Sequence, residues 1–133
     1  MRRLFSALLL VVATTLSASA QSLPVPSYWL NQRGSEMKLY SVDAGGNFKG
    51  VYINHAAGFQ CQNTPYDLWG HSVGNRVKFK VVWQNWAADC HSKTIWRGRL
   101  IGPTLATWWL LVVYNPDGSV SKLRGTDVFH LQP

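Results

Sequence analysis

The heptapeptide "VKFKVVW", residues 77–83, decides the fold because only one of its two faces can be buried. Hydrophobic side chains alternate in it with Lys78 and Lys80. Successive side chains of a β-strand point to opposite faces, so the two lysines face water and Trp83 points inward. This pattern predicts a half-buried strand of an antiparallel sheet.

Similar alternating segments recur along the chain, and turn sequences such as "DAGGN", "VGN" and "NPDG" separate them. Gly, Asn, Asp and Pro at such positions favour tight hairpin turns. The pattern predicts eight strands, the last of them interrupted, near Tyr28–Asn31, Glu36–Val42, Phe48–Asn54, Tyr66–Ser72, Val77–Trp83, Thr94–Ile101, Thr104–Tyr114 and Val120–Leu131.

Eight short strands joined mostly by hairpins predict an all-β fold, an eight-stranded antiparallel up-and-down β-barrel. A β-sandwich is the alternative, but it would need longer crossovers between its sheets. Two connections are longer than the others, residues 56–65 and 84–93, and each carries one cysteine. A barrel of eight strands has room inside for packed side chains or for one small ligand.

The first twenty residues predict a secretory signal that is not part of the barrel. Two arginines precede an apolar block from Leu4 to Ala13, and the segment ends in the small-residue sequence "ASA". The block is too short for a transmembrane anchor and has no stop-transfer flank. We expect cleavage after Ala20, a domain of residues 21–133, and a soluble, secreted or periplasmic protein with no membrane partner.

The basic residues of the chain are spread out and form no block in the sequence. Without Arg2 and Arg3 the chain keeps 11 basic against 6 acidic residues, a net charge of +5. Residues such as Lys78 and Arg97 fall on alternate strand positions. This distribution is typical of a solvated face, so we expect no nucleic-acid partner.

Cys61 and Cys90 are the only cysteines. An even number of cysteines in an exported protein favours a disulfide. A bridge between them would close a loop of about 30 residues and stabilise the fold by about 3–4 kcal/mol on the loop-entropy model. It would join the two longer connections at one end of the barrel.

The neighbouring Cys90 and His91 invite a catalytic interpretation, which the geometry of a strand disfavours. Adjacent side chains point to opposite faces, and catalytic Cys–His pairs meet through the fold and not through sequence adjacency. The four histidines lie far apart and show no metal-ligand spacing. We therefore predict no catalytic residue and no metal site, and a binding protein in place of an enzyme.

The predicted inner face of the barrel mixes aromatic and polar side chains. A buried polar group without a partner costs about 1–3 kcal/mol, so a barrel that only packed against itself would avoid them. Aromatic walls with a few convergent polar groups are typical of a small-molecule pocket. The alternative is that the polar groups cap the barrel ends. The inward set comprises Tyr52, Asn54, Trp83, Thr94, Trp96, Trp109 and Asp127.

The strand "TLATWWLLVVY", residues 104–114, is apolar on both faces. If Trp109 points inward, then Trp108, Leu110 and Val112 form an apolar stripe outside. Monomers rarely leave such a patch exposed, so the stripe predicts a subunit interface. A loop or terminus folded over the stripe is the alternative.

Five segments resemble the avidin and streptavidin family in order and spacing: "SYWLNQRGSEM", "GVYIN", "VVWQNWAADCHSKTIWRG", "TWWLL" and "GTDVF". Together they span nearly all of residues 21–133. The most specific feature is Trp83 followed at family spacing by Cys90, Ser92, Thr94 and Trp96. The resemblance implies biotin as the ligand and no cofactor.

The resemblance also implies a role for each of eleven side chains. Asn31, Ser35 and Tyr52 would donate hydrogen bonds to the ureido oxygen of biotin, like the donors of an oxyanion hole. Asp127 and Asn54 would accept hydrogen bonds from the ureido N–H groups. The other implied contacts are Thr94 at the sulfur, Ser92 near the carboxylate, Trp83, Trp96 and Trp109 as aromatic walls, and Leu111 as an apolar contact.

Two features of the sequence resemble the disulfide-containing dimeric bacterial members of that family. The segments "GFQCQNTPY" and "NWAADCHS" match the two loops that a disulfide joins near the pocket. The segment "NPDGSVSKLRG" lacks the tryptophan that tetrameric members lend to a neighbouring subunit. A homodimer is therefore expected. The alternative function is a barrel that binds another small molecule, such as a carbohydrate, or inhibits an enzyme.

Overall fold

The computed structural model describes residues 10–15 and 22–133. The predicted leader and its cleavage point fall on residues 1–20, which lie outside the described residues except for a short stretch without regular structure. No helix in the described part of the chain is long and apolar enough to span a bilayer. All of the regular structure described is β-strand.

The strands close into an eight-stranded antiparallel barrel in which each strand pairs with the next and the last pairs with the first. This confirms the predicted all-β up-and-down barrel and excludes the sandwich. The strands are β1 (Ser27–Asn31), β2 (Glu36–Val42), β3 (Asn47–Ile53), β4 (Pro65–Val73), β5 (Arg76–Gln84), β6 (Asp89–Ile101), β7 (Thr104–Tyr114) and β8 (Val120–Leu131).

Two predicted strand limits are wrong. β6 begins at Asp89 and not near Thr94, so Cys90 lies in a strand and not in a long loop. Its first residues lack alternating hydrophobicity, but they pair with both neighbours, with Gln84 opposite Asp89 and Ser92 opposite Val113. The final strand, β8, is continuous and not interrupted, because it pairs with β7 without a break from Val120 to His130.

One half of the barrel is filled by its own side chains. Phe48, Phe79 and Phe129 are almost completely buried there, and the inner face of β5 alternates with its exposed lysines as predicted. The rings of Phe79 and Trp96 stack with centroids 4.8 Å apart and an interplanar angle of 11°. This aromatic layer closes one half of the barrel, and the other half is open.

Candidate functional site

The open half of the barrel contains a cavity of about 300 Å³. Nine of the eleven side chains predicted to contact a ligand line it, because they occupy inward positions of β3, β5, β6, β7 and β8 or follow β3 directly. They are Tyr52, Asn54, Trp83, Ser92, Thr94, Trp96, Trp109, Leu111 and Asp127. The two others, Asn31 and Ser35, are buried behind this wall.

The aromatic walls are fixed by contacts with one another and with polar groups. The ring of Tyr52 lies 4.9 Å from that of Trp96 and meets that of Trp83 edge-on at 5.7 Å. The indole N–H of Trp83 donates to Thr94 Oγ1 at 2.8 Å. Gly125 leaves room for Trp109, since a Cβ there would lie 2.3 Å from the indole. The walls are therefore held before any ligand arrives.

A buried carboxylate stands at the inner end of the cavity. Asp127 is 3% exposed, and its Oδ2 accepts a hydrogen bond from the indole of Trp96 at 2.9 Å. Its Oδ1 accepts from Gln32 Nε2 at 3.0 Å and faces Arg33 Nε at 3.4 Å. Hydrogen bonds to charged groups are stronger than those between neutral ones, so these donors offset part of the cost of burying the carboxylate.

Tyr52 joins the aromatic wall to a polar cluster. Its burial, together with the nearby carboxylate of Asp127, raises the pKa of its hydroxyl, which is therefore a neutral hydrogen-bond donor. Asn31 Nδ2 donates to this hydroxyl oxygen at 3.3 Å, so its proton can point into the cavity. Asn31 is in turn oriented by the backbone N–H of Ser35, which donates to Asn31 Oδ1 at 3.0 Å.

Ser35 and Asn54 form the second part of the polar cluster. Ser35 Oγ donates to Asn54 Oδ1 over a long distance of 3.4 Å and accepts from the backbone N–H of His55 at 2.9 Å. Asn54 Oδ1 also accepts from the N–H of Ala56 at 3.0 Å. Although Asn31 and Ser35 do not line the cavity, each is therefore one hydrogen bond from a residue that does. Their contact with a ligand stays a prediction.

The predicted disulfide between Cys61 and Cys90 is confirmed, with the two Cα atoms 6.3 Å apart. It ties the lid loop, residues 54–64, to strand β6. The backbone at Cys61, Asn63 and His91 adopts the left-handed conformation, with φ of 55°, 68° and 47°. Non-glycine residues rarely adopt such angles, and they cluster here around the bridge.

Seven cavity-lining residues were not among the predicted ligand contacts, and two of them place an aromatic ring or a cation at the mouth. Phe59 of the lid loop meets Trp109 edge-on at 6.1 Å, and the guanidinium of Arg33 lies 5.9 Å from the Phe59 ring. Both residues line the cavity. The sequence held a signal for Phe59, since a bridge from Cys61 to β6 must carry the residues before it across the mouth. It held none for the orientation of Arg33.

These features define a small-molecule-binding β-barrel: a closed barrel, filled at one end and hollow at the other, with rigid aromatic walls and a few oriented polar groups. Cys90 is in a disulfide and is not a free nucleophile. In the part of the chain that the structure describes, no three His, Cys, Asp or Glu side chains group as metal ligands.

Comparison with known proteins shows which barrel this is. The profile of the avidin family matches residues 19–132. The chain is 42% identical over 120 residues to afifavidin from Afifella pfennigii. This alignment covers 86% of this chain and 74% of afifavidin. The structure superposes on apo shwanavidin with a TM-score of 0.76 and 39% identity, covering 85% of this chain and 100% of that chain.

A rhizavidin–biotin complex superposes with a TM-score of 0.75 and 36% identity, covering 83% of this chain and 93% of that chain. The chain belongs to the avidin family.

Proposed function

We propose that this protein binds biotin non-covalently in the open half of its barrel. The observation that carries the proposal is the presence of two kinds of polar group in one aromatic-lined cavity: the carboxylate of Asp127 and the polar cluster that includes the Tyr52 hydroxyl. A cyclic urea needs acceptors for its two N–H groups and donors for its carbonyl oxygen, and the cavity offers both. Rhizavidin, a similar chain, has been crystallised with biotin.

The hydrogen bonds of the polar cluster can be exchanged for ligand contacts with little rearrangement. The hydroxyl proton of Ser35 points at Asn54 over a long 3.4 Å bond. If that proton turns to the ureido oxygen, Asn54 Oδ1 becomes free to accept a ureido N–H. Asp127 would accept the other N–H. Donors oriented before binding cost no reorganisation when the ligand enters.

The remaining cavity residues would provide shape. Trp83, Trp96 and Trp109 would enclose the ring system of biotin, with Thr94 at its sulfur and Leu111 against its apolar side. Ser92 would lie near the carboxylate.

Calorimetric titration of the folded protein with biotin tests the proposal. We expect saturable heat with one biotin per chain. Biotin methylated on both ureido nitrogens serves as the control ligand, because it keeps the bicyclic ring system but replaces both N–H donors with methyl groups. Absence of heat with biotin at micromolar protein would contradict the proposal.

We also propose that the protein binds without catalysing a reaction. Glycoside hydrolysis usually needs two carboxyl groups about 5–10 Å apart. Asp127 is the only carboxylate among the cavity-lining residues in the described part of the chain. The hydrolysis of a carbohydrate by this site thus has no observation in its favour. Turnover assays with ester and glycoside substrates should give no product above a protein-free control.

We propose export as the route that oxidises the cysteines, with residues 1–20 removed and residues 21–133 forming the domain. The disulfide supports this, because such bonds persist in oxidising compartments. A secreted or periplasmic location follows. Mass spectrometry of the protein purified from its own cells would give the mature N-terminus.

The lid side chain Phe59 should slow the escape of biotin. An aromatic pair contributes about 0.5–1.5 kcal/mol beyond its buried area, so Phe59→Ala should raise the dissociation rate of biotin about 3- to 10-fold. Stopped-flow or chase measurements give the rate. Trp86→Ala is the matched control, since Trp86 lies 82% exposed in the β5–β6 turn and does not line the cavity. Equal rates for the Phe59 variant and wild type would contradict the role of Phe59.

We propose that two copies pair through the outer stripe of β7. Trp108 is 56% exposed and Leu110 is partly exposed, whereas Val112 is buried and interrupts the stripe. Arg97 lies directly opposite Trp108 on the neighbouring strand, and Arg124 lies opposite Leu110. A two-fold interface uses the same surface patch on both subunits. Arg97 and Arg124 of one subunit would therefore lie near the same arginines of its partner and repel them.

We predict a dimer whose association strengthens as salt concentration rises, because salt screens this repulsion. Sedimentation at low and high ionic strength measures it. Trp108→Lys should give monomers, while Trp69→Lys, at another exposed tryptophan outside the stripe, should leave the dimer intact. A wild-type protein that sediments as a monomer at every salt concentration would contradict the interface.

A further inference from the structure

A chain of hydrogen bonds beside the cavity connects two strands to the lid loop. The hydroxyl of Tyr28 on β1 donates to Glu36 Oε1 on β2 at 2.6 Å. The other carboxylate oxygen of Glu36 lies 2.8 Å from His55 Nε2. His55 Nδ1 lies 2.9 Å from Asn63 Oδ1 in the lid loop. His55 thus bridges β2 and the far end of the lid.

This chain is next to the polar cluster, of which Asn54 lines the cavity and Ser35 lies one hydrogen bond behind it. Glu36 directly follows Ser35, and His55 directly follows Asn54. The backbone N–H of Asn63 donates to the carbonyl oxygen of Asn54 at 3.0 Å. Several contacts anchor the lid, among them the disulfide to β6, the Glu36–His55–Asn63 chain to β2 and the hydrogen bond from Asn85 to Thr64. Of these three, the chain through His55 is the one that can change its charge.

The Glu36–His55–Asn63 chain needs a charged imidazole. Both ring nitrogens of His55 face oxygen atoms, and only an imidazolium can donate to both. The hydrogen bond with Glu36 raises the pKa of His55, and the Asn63 bond adds to the effect. The hydrogen bond from Tyr28, and next the one from His55, hold the pKa of Glu36 below its ordinary value.

In the described residues 10–15 and 22–133, the one other charged group that influences this pair is Lys38 on β2, whose Nζ lies 5.6 Å from the centroid of the Tyr28 ring. The ion pair is complete between the lowered pKa of Glu36, below 4.5, and the raised pKa of His55, above 6.5. Because the pKa of the histidine is raised by folding, its contribution is fully present below 6.5 and is lost as pH rises through the raised value.

We propose that Glu36 and His55 form an ionic latch, in which His55 is a positioning residue that holds the lid loop over the ligand and loosens it in alkaline solution. The proposal rests on the proposed function, because the ligand it retains is biotin. Below the transition the imidazolium ties the lid to β2. Above it the neutral ring has one N–H and can no longer donate to both oxygens, so Phe59 and Gln60 leave the mouth more often.

The dissociation rate of biotin measured from about pH 5 to about pH 9 tests the latch. For the wild type we expect a low, constant rate that rises about 3- to 10-fold through the pKa of His55. The rise is smaller than for a fully buried charge-assisted bond, because the His55 and Glu36 side chains are 34% and 21% exposed and solvent screens the pair. His55→Gln should dissociate rapidly at every pH. His55→Arg keeps a fixed cation opposite Glu36 and should restore slow dissociation at every pH.

Two further variants separate the latch from other titrating groups. Glu36→Gln should shift the transition to lower pH, because His55 loses the carboxylate that raises its pKa. His130→Gln, at an exposed histidine on the outer face of β8, should keep the wild-type profile. A wild-type rate independent of pH, or an unchanged pH profile in both His55 variants, would overturn the latch.

A measurement without ligand keeps the latch testable if biotin does not bind. NMR titration of the His55 ring and the hydrogen-exchange protection of the Asn63 amide report on the empty protein. We expect the protection to fall as the ring loses its proton, and to stay low in His55→Gln. If the protection follows the titration of His55 but biotin binds at no pH, the proposed function alone is refuted. If the protection does not depend on the titration of His55, the latch is refuted.

Discussion

Biotin will bind the Asp127→Asn protein about 10- to 150-fold more weakly than the wild type, since a hydrogen bond to a charged group contributes about 1.5–3 kcal/mol. Asparagine keeps the size of the side chain but replaces one acceptor oxygen with a donor. In the wild type, Trp96 donates to one carboxylate oxygen, and Gln32 and Arg33 donate to the other. In either orientation, the new NH2 group would therefore face another hydrogen-bond donor. Calorimetry or competition with a labelled biotin measures the loss.

Asp43→Asn is the matched control for this experiment. Asp43 accepts hydrogen bonds from Asn47 in the turn between β2 and β3, at the end of the barrel away from the lid. We expect its affinity for biotin to equal that of the wild type. If Asp127→Asn binds as tightly as Asp43→Asn, the carboxylate is not an acceptor for the ligand.

Removing the disulfide should have the largest effect on stability. Its cysteines are 29 residues apart, and closing a loop of that length stabilises the fold by about 3–4 kcal/mol. We expect Cys61→Ala/Cys90→Ala to lose that amount in urea unfolding, which corresponds to a fall in Tm of about 10–20 °C. The lid would also lose its anchor on β6, so biotin should dissociate faster.

A reducing agent provides the control for the disulfide prediction. It should destabilise the wild type by a similar amount and leave the double alanine variant unchanged, because that variant has no bond to break. A wild type whose unfolding free energy is the same in oxidising and reducing solution would contradict the stabilising role of the bridge.

The fold could be predicted because one face of most strands carries a clear chemical signal. Lys78 and Lys80 on β5 fix the inward direction of Trp83 without any tertiary information. The same rule fails at the mouth of the barrel, where β6 begins at Asp89. There the inward residues Cys90 and Ser92 line the cavity and do not belong to the buried hydrophobic core, so the hydrophobic alternation that marks a strand is absent.

The candidate site was predictable only in part. Inward positions identify Tyr52, Trp96 and Asp127, because strand periodicity places them. The exchange of hydrogen bonds between Ser35 and Asn54 depends on distances that no sequence pattern contains. The contact of Glu36 with His55 depends on the register that sets Glu36 opposite Ile53, which becomes known only when the β2–β3 pairing is known.

The surface charge shows the same dependence on register. The basic residues look scattered in the sequence, yet the barrel places Lys78 directly opposite Arg97 and Arg76 directly opposite Arg99. No Lys or Arg side chain on β5 or β6 lies within 4.0 Å of a carboxylate in the described part of the chain. Like charges directly opposite each other on neighbouring strands destabilise a sheet. This repulsion lowers the stability of the outer face of β5 and β6, and it cannot be recognised until the register is known.

A crystal structure of the protein with biotin tests the central claim most directly. We predict the ureido ring inside the open half of the barrel, its N–H groups on Asp127 and Asn54 and its oxygen at the Tyr52 hydroxyl, with the ring system between the tryptophans. Biotin bound elsewhere on the surface, or a cavity closed by the chain's own side chains at saturating biotin, would contradict the claim.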